Sequence, residues 1–178
     1  MKGIYSIVLF FCLFLFSCNS EPTLQKYFVA NTENKNFMAF DISSDILNVD
    51  KANLTSNQKD ALNSFKKINI LAFKLNDSNQ SQFDSECKKL NVILKDVKYQ
   101  QLMKFDSGNQ GAYVSFVGDD DHIDEFVLFA NQKDKGFAVV RVLGKDMNPT
   151  SIMTMMSVLQ NSKIDLEQLK PLQEMLKK

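Results

Sequence analysis

Residues 99–144 read YQQLMKFDSGNQGAYVSFVGDDDHIDEFVLFANQKDKGFAVVRVLG. Four runs rich in β-branched and aromatic residues alternate there with clusters of Asp, Asn, Ser and Gly, a pattern typical of strands separated by tight turns. The predicted strands are Tyr99–Phe105, Ala112–Val117, Ile123–Asn131 and Phe137–Gly144. Because short turns join antiparallel neighbours, the stretch predicts a four-stranded meander. Its last two strands are apolar on both sides, so we expect both of their faces to be covered.

The sequence before the meander predicts two further strands and three helices. The strands are Asn36–Ile42 and Ile68–Lys74, and the helices span 22–32, Ser56–Lys66 and about 80–96. The pattern Thr55-Ser56-Asn57-Gln58 is a capping box that starts the second helix. A helical turn is predicted at Ser43–Leu47.

Two helices are predicted after the meander. Asn148-Pro149 starts the first, with Asn148 as its cap, and a second capping box at 165–168 starts the last. Leucines lie on one stripe of that last helix, at positions 166, 169, 172 and 176. The chain therefore predicts one α+β domain over 22–178, with a mostly antiparallel sheet of five or six strands and helices mainly on one face. The β–α–β passage from Ile68 to Phe105 leaves open one parallel pair with a right-handed crossover.

The first eighteen residues have the composition of a cleaved export signal. Lys2 gives a positive start, residues 4–16 are apolar but for one serine, and Ser17 precedes Cys18. An apolar run of this length is shorter than the ~20 residues that cross a bilayer as a helix. Residues 15–18, LFSC, resemble the lipobox of bacterial lipoproteins. The resemblance implies cleavage between Ser17 and Cys18 and acylation of the Cys18 thiol, with palmitate among the expected chains; the alternative is an ordinary signal peptide with an incidental cysteine.

The composition after cleavage limits the classes of function. The signal carries one lysine and no acid, so 20 basic and 21 acidic residues remain and the formal charge is −1. That balance offers no electrostatic footprint for nucleic acid. Cys12 leaves with the signal and Cys18 is acylated, so Cys87 has no disulfide partner and stability must come from packing. Residues 18–21 form only a short tether between the lipid and the domain.

The whole mature chain resembles a known family. The sequences LQKYF at 24–28, FMAFDI at 37–42 and KINILAF at 67–73, together with the meander, look like the DUF4252 lipoproteins of Bacteroidota envelopes. The resemblance covers about residues 22–178 and implies the α+β fold and a protein lipid-anchored in the bacterial cell envelope, for which we predict the outer membrane. It carries over no active-site residue, because the function of that family is not established.

The strongest local concentration of metal-ligand chemistry is the run Asp119, Asp120, Asp121 and His122. Carboxylate oxygens suit Ca²⁺ or Mg²⁺, and the imidazole suits a transition metal. A Ca²⁺-dependent module that uses residues 119–125 is one interpretation. The run lacks the spacing of an EF-hand, however, and the other interpretation is a solvated hairpin turn whose charge discourages edge pairing.

Three further features each have a functional and a structural interpretation. Cys87 is either a nucleophile or, because it lies on the apolar stripe of its helix, a buried structural cysteine. Met147, Met153, Met155 and Met156 are either Cu(I) ligands or adaptable core residues. Arg141, the only arginine, lies mid-strand and is either an anion anchor or a structural partner for a cross-strand acid such as Glu125. We favour the structural interpretation in each case.

No catalytic motif is present, and we predict no enzyme and no cofactor. The first hypothesis is a non-catalytic, lipid-anchored envelope protein that binds another envelope protein as an accessory or sensory module. It expects an exposed apolar patch on one sheet face without a deep cavity. The alternative is a carrier of lipid or another small amphiphile at the membrane surface, which needs a cavity. The predicted partners are the membrane, through Cys18, and an envelope protein, but no nucleic acid.

Overall fold

The computed structural model describes residues 21–43 and 53–161, which form four helices and six strands. The predicted signal, Cys18, the last predicted helix and most of the predicted turn at Ser43–Leu47 lie outside these ranges. The helices are α1 (Leu24–Asn31), α2 (Ser56–Ser64), α3 (Gln80–Ile93) and α4 (Pro149–Asn161). The strands are β1 (Phe37–Ser43), β2 (Phe65–Lys74), β3 (Gln100–Asp106), β4 (Gln110–Asp119), β5 (His122–Gln132) and β6 (Gly136–Met147).

The six strands form one sheet in the order β1-β2-β6-β5-β4-β3, and every neighbouring pair is antiparallel. The α+β class, the antiparallel sheet and the meander are therefore confirmed. The suggested parallel pair is wrong. Helix α3 does carry the chain from β2 to β3, but β3 lies at the far edge with three strands between the two, and β2 pairs with β1 and β6 instead.

The predicted helix caps account for the starts of two helices. Thr55 Oγ1 accepts a hydrogen bond from the Gln58 amide (3.3 Å) while the Gln58 side chain accepts one from the Thr55 amide (2.9 Å), so the capping box is formed. Asn148 accepts from the Ser151 amide at the start of α4. Helix α2 ends at Ser64, two residues earlier than predicted, because Phe65 is extended and pairs with Gly144.

One side of the sheet, here called the helical face, packs against α1 and α3. Its core is aromatic: the rings of Phe73 and Phe137 stack with centroids 5.3 Å apart, and Phe37 meets Phe73 edge-on at 5.1 Å. These geometries are the favoured ones for aromatic pairs. The buried core on this side consists of Leu24, Tyr27, Phe28, Phe37, Leu71, Phe73, Phe83, Leu90, Ile93, Tyr99, Val127, Phe129, Phe137 and Val139.

On the other side of the sheet, the helices of the described ranges cover one end. There, α2 and α4 place Leu62 and Met155 in a second core cluster with strand residues such as Phe126 and Ile123. The expectation that the last two strands are covered on both faces holds at that end, but Leu128 in the middle of β5 is 41% exposed. Among residues 21–43 and 53–161, no helix is long and apolar enough to span a membrane.

Gly136 at the start of β6 is required by the backbone. Its φ of +131° is a region that L-residues rarely adopt, and a Cβ there would overlap the carbonyl oxygen of Phe73. Gly108, in the β3–β4 turn, also has a positive φ (+80°), but a Cβ there would meet no atom within 4 Å.

We expect Gly136→Ala to lower the free energy of unfolding by about 3 kcal/mol, because strain and overlap add, and Gly108→Ala by only about 1 kcal/mol. Urea denaturation of the two variants measures the difference. Equal losses would contradict the close approach of β6 to β2 at this position.

Candidate functional site

The structure does not bring the acidic run together as a metal site. Asp119 and His122 face each other across the β4–β5 turn, all four residues are exposed, and His122 Nδ1 lies 3.1 Å from Asp146. Glu125 forms an ion pair with Arg141, so its carboxylate is engaged there and not beside the acidic run. Within residues 21–43 and 53–161, no three His, Cys, Asp or Glu side chains converge on one point. Neither a transition-metal site nor the Ca²⁺ module of residues 119–125 is formed, because successive side chains of a hairpin point in different directions.

The described side chains of Met147, Met153 and Met155 do not form a common thioether site either. Met147 and Met155 are buried in the core cluster under α2 and α4, whereas Met153 is 73% exposed. The Met156 side chain lies outside the described part of the chain. The predicted core role is confirmed for Met147 and Met155, whose flexible side chains fill the space between sheet and helix.

Cys87 packs against the core of the helical face, as its place on the apolar stripe of α3 predicts. Burial raises the pKa of its thiol from 9.0 to about 11; the Asn131 side chain opposes this shift with a hydrogen bond, and the nearby Asp84 and Glu86 add to it. A nucleophilic cysteine needs the opposite shift. The structure therefore supports the packing role.

We expect Cys87 to be alkylated slowly in the folded protein. With the pKa at about 11, the thiolate fraction near neutral pH is about a hundredfold lower than that of a thiol with the ordinary value. Mass spectrometry of the Cys87 peptide after iodoacetamide treatment, in buffer and in urea, measures this. Equal rates in the two conditions would contradict a protected thiol.

Arg141 is held in a bidentate ion pair, and its predicted partner Glu125 is correct. Arg141 Nε and Nη2 donate to the Glu125 carboxylate at 2.8 and 3.1 Å, and the arginine is 5% exposed. Two more contacts, both from α1, have no signal in the sequence: Gln25 Oε1 accepts from Nη1 at 2.6 Å, and the Phe28 ring lies 5.5 Å from the guanidinium. The guanidinium therefore fixes α1 to the sheet, which is the structural role rather than that of an anion anchor.

A polar cleft of about 420 Å³ lies beside this pair, between α1 and the β1–β2 edge. Its polar groups are paired with one another: Lys67 Nζ lies 2.8 Å from the Asp41 carboxylate, and the Asn69 side chain donates to the same carboxylate. Polar groups that are paired in this way have fewer donors and acceptors left for a ligand. The polar pairs of the cleft therefore join β1 to β2.

We expect Arg141→Leu to lower the free energy of unfolding by about 3 kcal/mol, because it leaves Glu125 partly buried without its counter-charge. The double variant Arg141→Leu/Glu125→Leu should lie within about 1 kcal/mol of the wild type, since no buried charge remains. Urea denaturation of both variants gives the two values. A double variant as unstable as the single one would show that the pair stabilises the fold in itself.

A continuous apolar area lies on the side of the sheet opposite α1 and α3. Two rows of residues cross all six strands in register, and their twelve side chains are all apolar. One row is Met38, Ala72, Ala138, Ala130, Ala112 and Phe105, and the other is Phe40, Ile70, Val140, Leu128, Val114 and Met103. We call this surface the apolar face. A third row, beginning at Ile42, lies under α2 and α4.

Much of the apolar face is accessible to solvent. Met103 is 62%, Phe105 53% and Leu128 41% exposed, and only Ile70 and Ala72 of the twelve are buried. The four alanines lie side by side on the central strands and form the floor of a shallow cavity of about 260 Å³, with Gln110, Gln132 and Lys135 at its mouth. The twelve side chains of the apolar face carry no titratable or nucleophilic group, so the contacts that they offer are apolar.

A family model matches most of this architecture. It is the model of a domain of unknown function, DUF4252, and it matches residues 27–155. The chain belongs to the DUF4252 family. No curated protein and no solved structure matches the chain. The DUF4252 match includes the six strands and the Arg141–Glu125 pair, and it begins after Cys18.

Proposed function

We propose that this DUF4252 protein is a non-catalytic accessory subunit, lipid-anchored in the bacterial cell envelope, that docks a partner protein on the apolar face. The observation that carries the proposal is the accessibility of ten of the twelve contiguous apolar side chains on one side of the sheet in a small domain. Contiguous exposed apolar areas on folded proteins mark interaction sites, because water contact there is unfavourable until a partner covers them. The partner surface that fits is an apolar face of a helix or strand.

The other side chains with functional potential support a binding role over catalysis. Cys87 is held in its thiol form, Arg141 is committed to Glu125 and Gln25, and His122 is exposed beside Asp146. A catalytic site needs a base, a nucleophile or a metal in mutual reach. The apolar face offers contact area and shape to a partner protein.

The proposed anchor fits the position of the apolar face. Cleavage before Cys18 leaves only residues 19 and 20 between the lipid and Glu21, and α1 begins at Leu24 on the helical face. A few residues span at most ~3.5 Å each, so the membrane would lie near the α1 layer. The apolar face, on the opposite side of the sheet, then points away from the lipid towards other envelope proteins. We expect the outer membrane to be the anchoring membrane.

The alternative function, a carrier of lipid or another amphiphile, is favoured by the alanine-floored cavity. Its volume of about 260 Å³ is at the small end for ligand pockets, and the cavity is open along the sheet. One acyl chain is the largest occupant of this kind that we would expect. The two functions place different molecules on the same surface, so one experiment distinguishes them.

The experiment places a photo-crosslinking phenylalanine analogue at Leu128 or Met103 in the lipidated protein in its own membranes. We expect both positions to give the same protein adduct, and we expect none from the control position Val29, which is 67% exposed on α1. Leu128→Lys should reduce the Met103 adduct at least about tenfold, since it introduces a charge into an apolar contact, whereas Val29→Lys should not.

Three outcomes would contradict the proposal. Equal adducts from Val29 and Leu128 would indicate non-specific contact. Crosslinks confined to the same chain would assign the apolar face to residues 162–178. A reproducible small-molecule adduct in native mass spectrometry, without a protein adduct, would favour the carrier. Melting temperatures of Leu128→Lys and Val29→Lys serve as the folding control.

A further inference from the structure

Strand β3 is an edge of the sheet whose seven residues are all exposed. In the described part of the chain it pairs only with β4, so its outer side presents the unpaired backbone groups of an edge strand. Such an edge is a template for another strand unless charges, prolines or bulges block it. Leu102, Met103 and Phe105 are 49, 62 and 53% exposed along this edge, and its charged residues are Lys104 and Asp106.

A bulge limits the regular part of the edge. The register between β3 and β4 shifts between Gln101 and Met103, so the regular backbone runs from Met103 to Asp106. In this segment Lys104 lies opposite Tyr113 on the helical side, and Phe105 lies opposite Ala112 on the apolar face. Lys104 and Asp106 are thus on the same side, with one residue between them.

We propose that β3 pairs antiparallel with β3 of a second copy of the chain, about a twofold axis at Phe105. In this register Phe105 lies opposite Phe105 of the second copy. Lys104 lies opposite Asp106 of the second copy, and Asp106 opposite its Lys104. Opposite charges directly across a strand pair stabilise it, and like charges destabilise it. The sequence KFD is therefore complementary to itself in this one arrangement.

The present contacts of the two charged side chains are compatible with this pairing. Lys104 lies over the Tyr113 ring, with Nζ 5.4 Å from the ring centre, and is exposed. Asp106 Oδ1 accepts a hydrogen bond from the Gly108 amide at 3.0 Å, and a carboxylate has a second oxygen for a further donor. Both side chains lie at the edge where a second copy would meet them.

The symmetry of the pairing also agrees with a shared membrane. Antiparallel pairing of identical edges has its twofold axis normal to the sheet, so both copies keep the α1 layer on the same side. Both proposed anchors would then reach one bilayer, and the two apolar faces would join on the other side. Parallel pairing of the same edges would turn one copy over. Pairing of a few residues buries much less than the ~1,600 Å² of a standard interface, so we expect the dimer to form mainly where anchoring concentrates the chains.

The test measures a disulfide at the proposed axis in membranes that contain the lipidated protein. Residues directly opposite in an antiparallel pair have Cα atoms about 4.5–5.5 Å apart, which suits a disulfide. We expect F105C to form a crosslinked dimer under mild oxidation. The control V29C is at least as exposed but lies on α1, away from β3, and should form at least about tenfold less. The unsubstituted chain gives the background from Cys87.

Charge reversal in the F105C chain identifies the register. K104E and D106K each place like charges opposite one another twice, and each should reduce the crosslinked fraction about tenfold. The combination K104E/D106K restores opposite charges and should restore the crosslink, as should a mixture of the two single variants. Melting temperatures close to that of the F105C chain will show that these exposed substitutions leave the fold intact.

Two results would overturn the proposal. The first is an F105C crosslink no stronger than that of V29C, which would mean that β3 does not pair with itself. The second is a crosslink that is unchanged by K104E and D106K or not restored by their combination, which would mean that the contact has a different register. Partner capture through Leu128 is read out separately, so failure of the dimer and failure of the proposed function are distinguishable.

Discussion

The cross-strand register of the sheet is the constraint on which the rest of the structure depends. Side chains alternate between the two sides of a strand, and the registers of all six strands agree, so each row of residues belongs to one side. A slip of β6 by one residue would move Arg141 onto the apolar side and bring Val140 and Val142 under α1. Such a slip would leave the part-buried Glu125 without its counter-charge and would move the Phe137 ring out of the aromatic core, so the register is strongly specified.

The Arg141–Glu125 ion pair is a direct consequence of this register. Glu125 is aligned with Leu143, next to the row that contains Arg141, and both side chains point to the helical face. Gln25 then completes the arrangement from α1. Removing one member of such a pair is costly because a buried charge remains, so the pair favours one position of α1 over its alternatives. The same helix follows the proposed anchor in the chain, and thus the pair also determines which side of the sheet would face the membrane under the proposed lipid anchoring.

The sequence predicts the features that depend on neighbouring residues. Turn residues identify the meander, and the Thr55 capping box and Asn148 identify two helix starts. The position of Arg141 in the middle of a strand indicates an acidic partner on the neighbouring strand. The sequence does not predict that β2 lies beside β6. That pairing joins segments about seventy residues apart, and β2 could have paired with either edge strand of the meander. The parallel pair was wrong for this reason. The acidic run at 119–122 forms no ligand cluster in the described part of the chain, because a count of acids in the sequence does not show which of them are paired elsewhere, as Glu125 is with Arg141. Gln25 was missed because a polar residue on a helix gives no sign of its distant partner.

The distribution of side-chain size across the sheet supports an occupant from outside the described domain. On each of the four central strands, an aromatic residue on the helical face is adjacent in sequence to an alanine on the apolar face: Phe73 and Ala72, Phe137 and Ala138, Phe129 and Ala130, Tyr113 and Ala112. Under α2 and α4, where the chain covers the same side itself, the sheet presents Ile68, Phe116 and Phe126. If only water covered this surface, polar residues could stand at the alanine positions without loss of stability. If the described chain covered it, larger side chains would stand there, as they do under α2 and α4. Alanine keeps the exposed apolar area small while leaving room for larger side chains, which is the room that the proposed binding partner would fill.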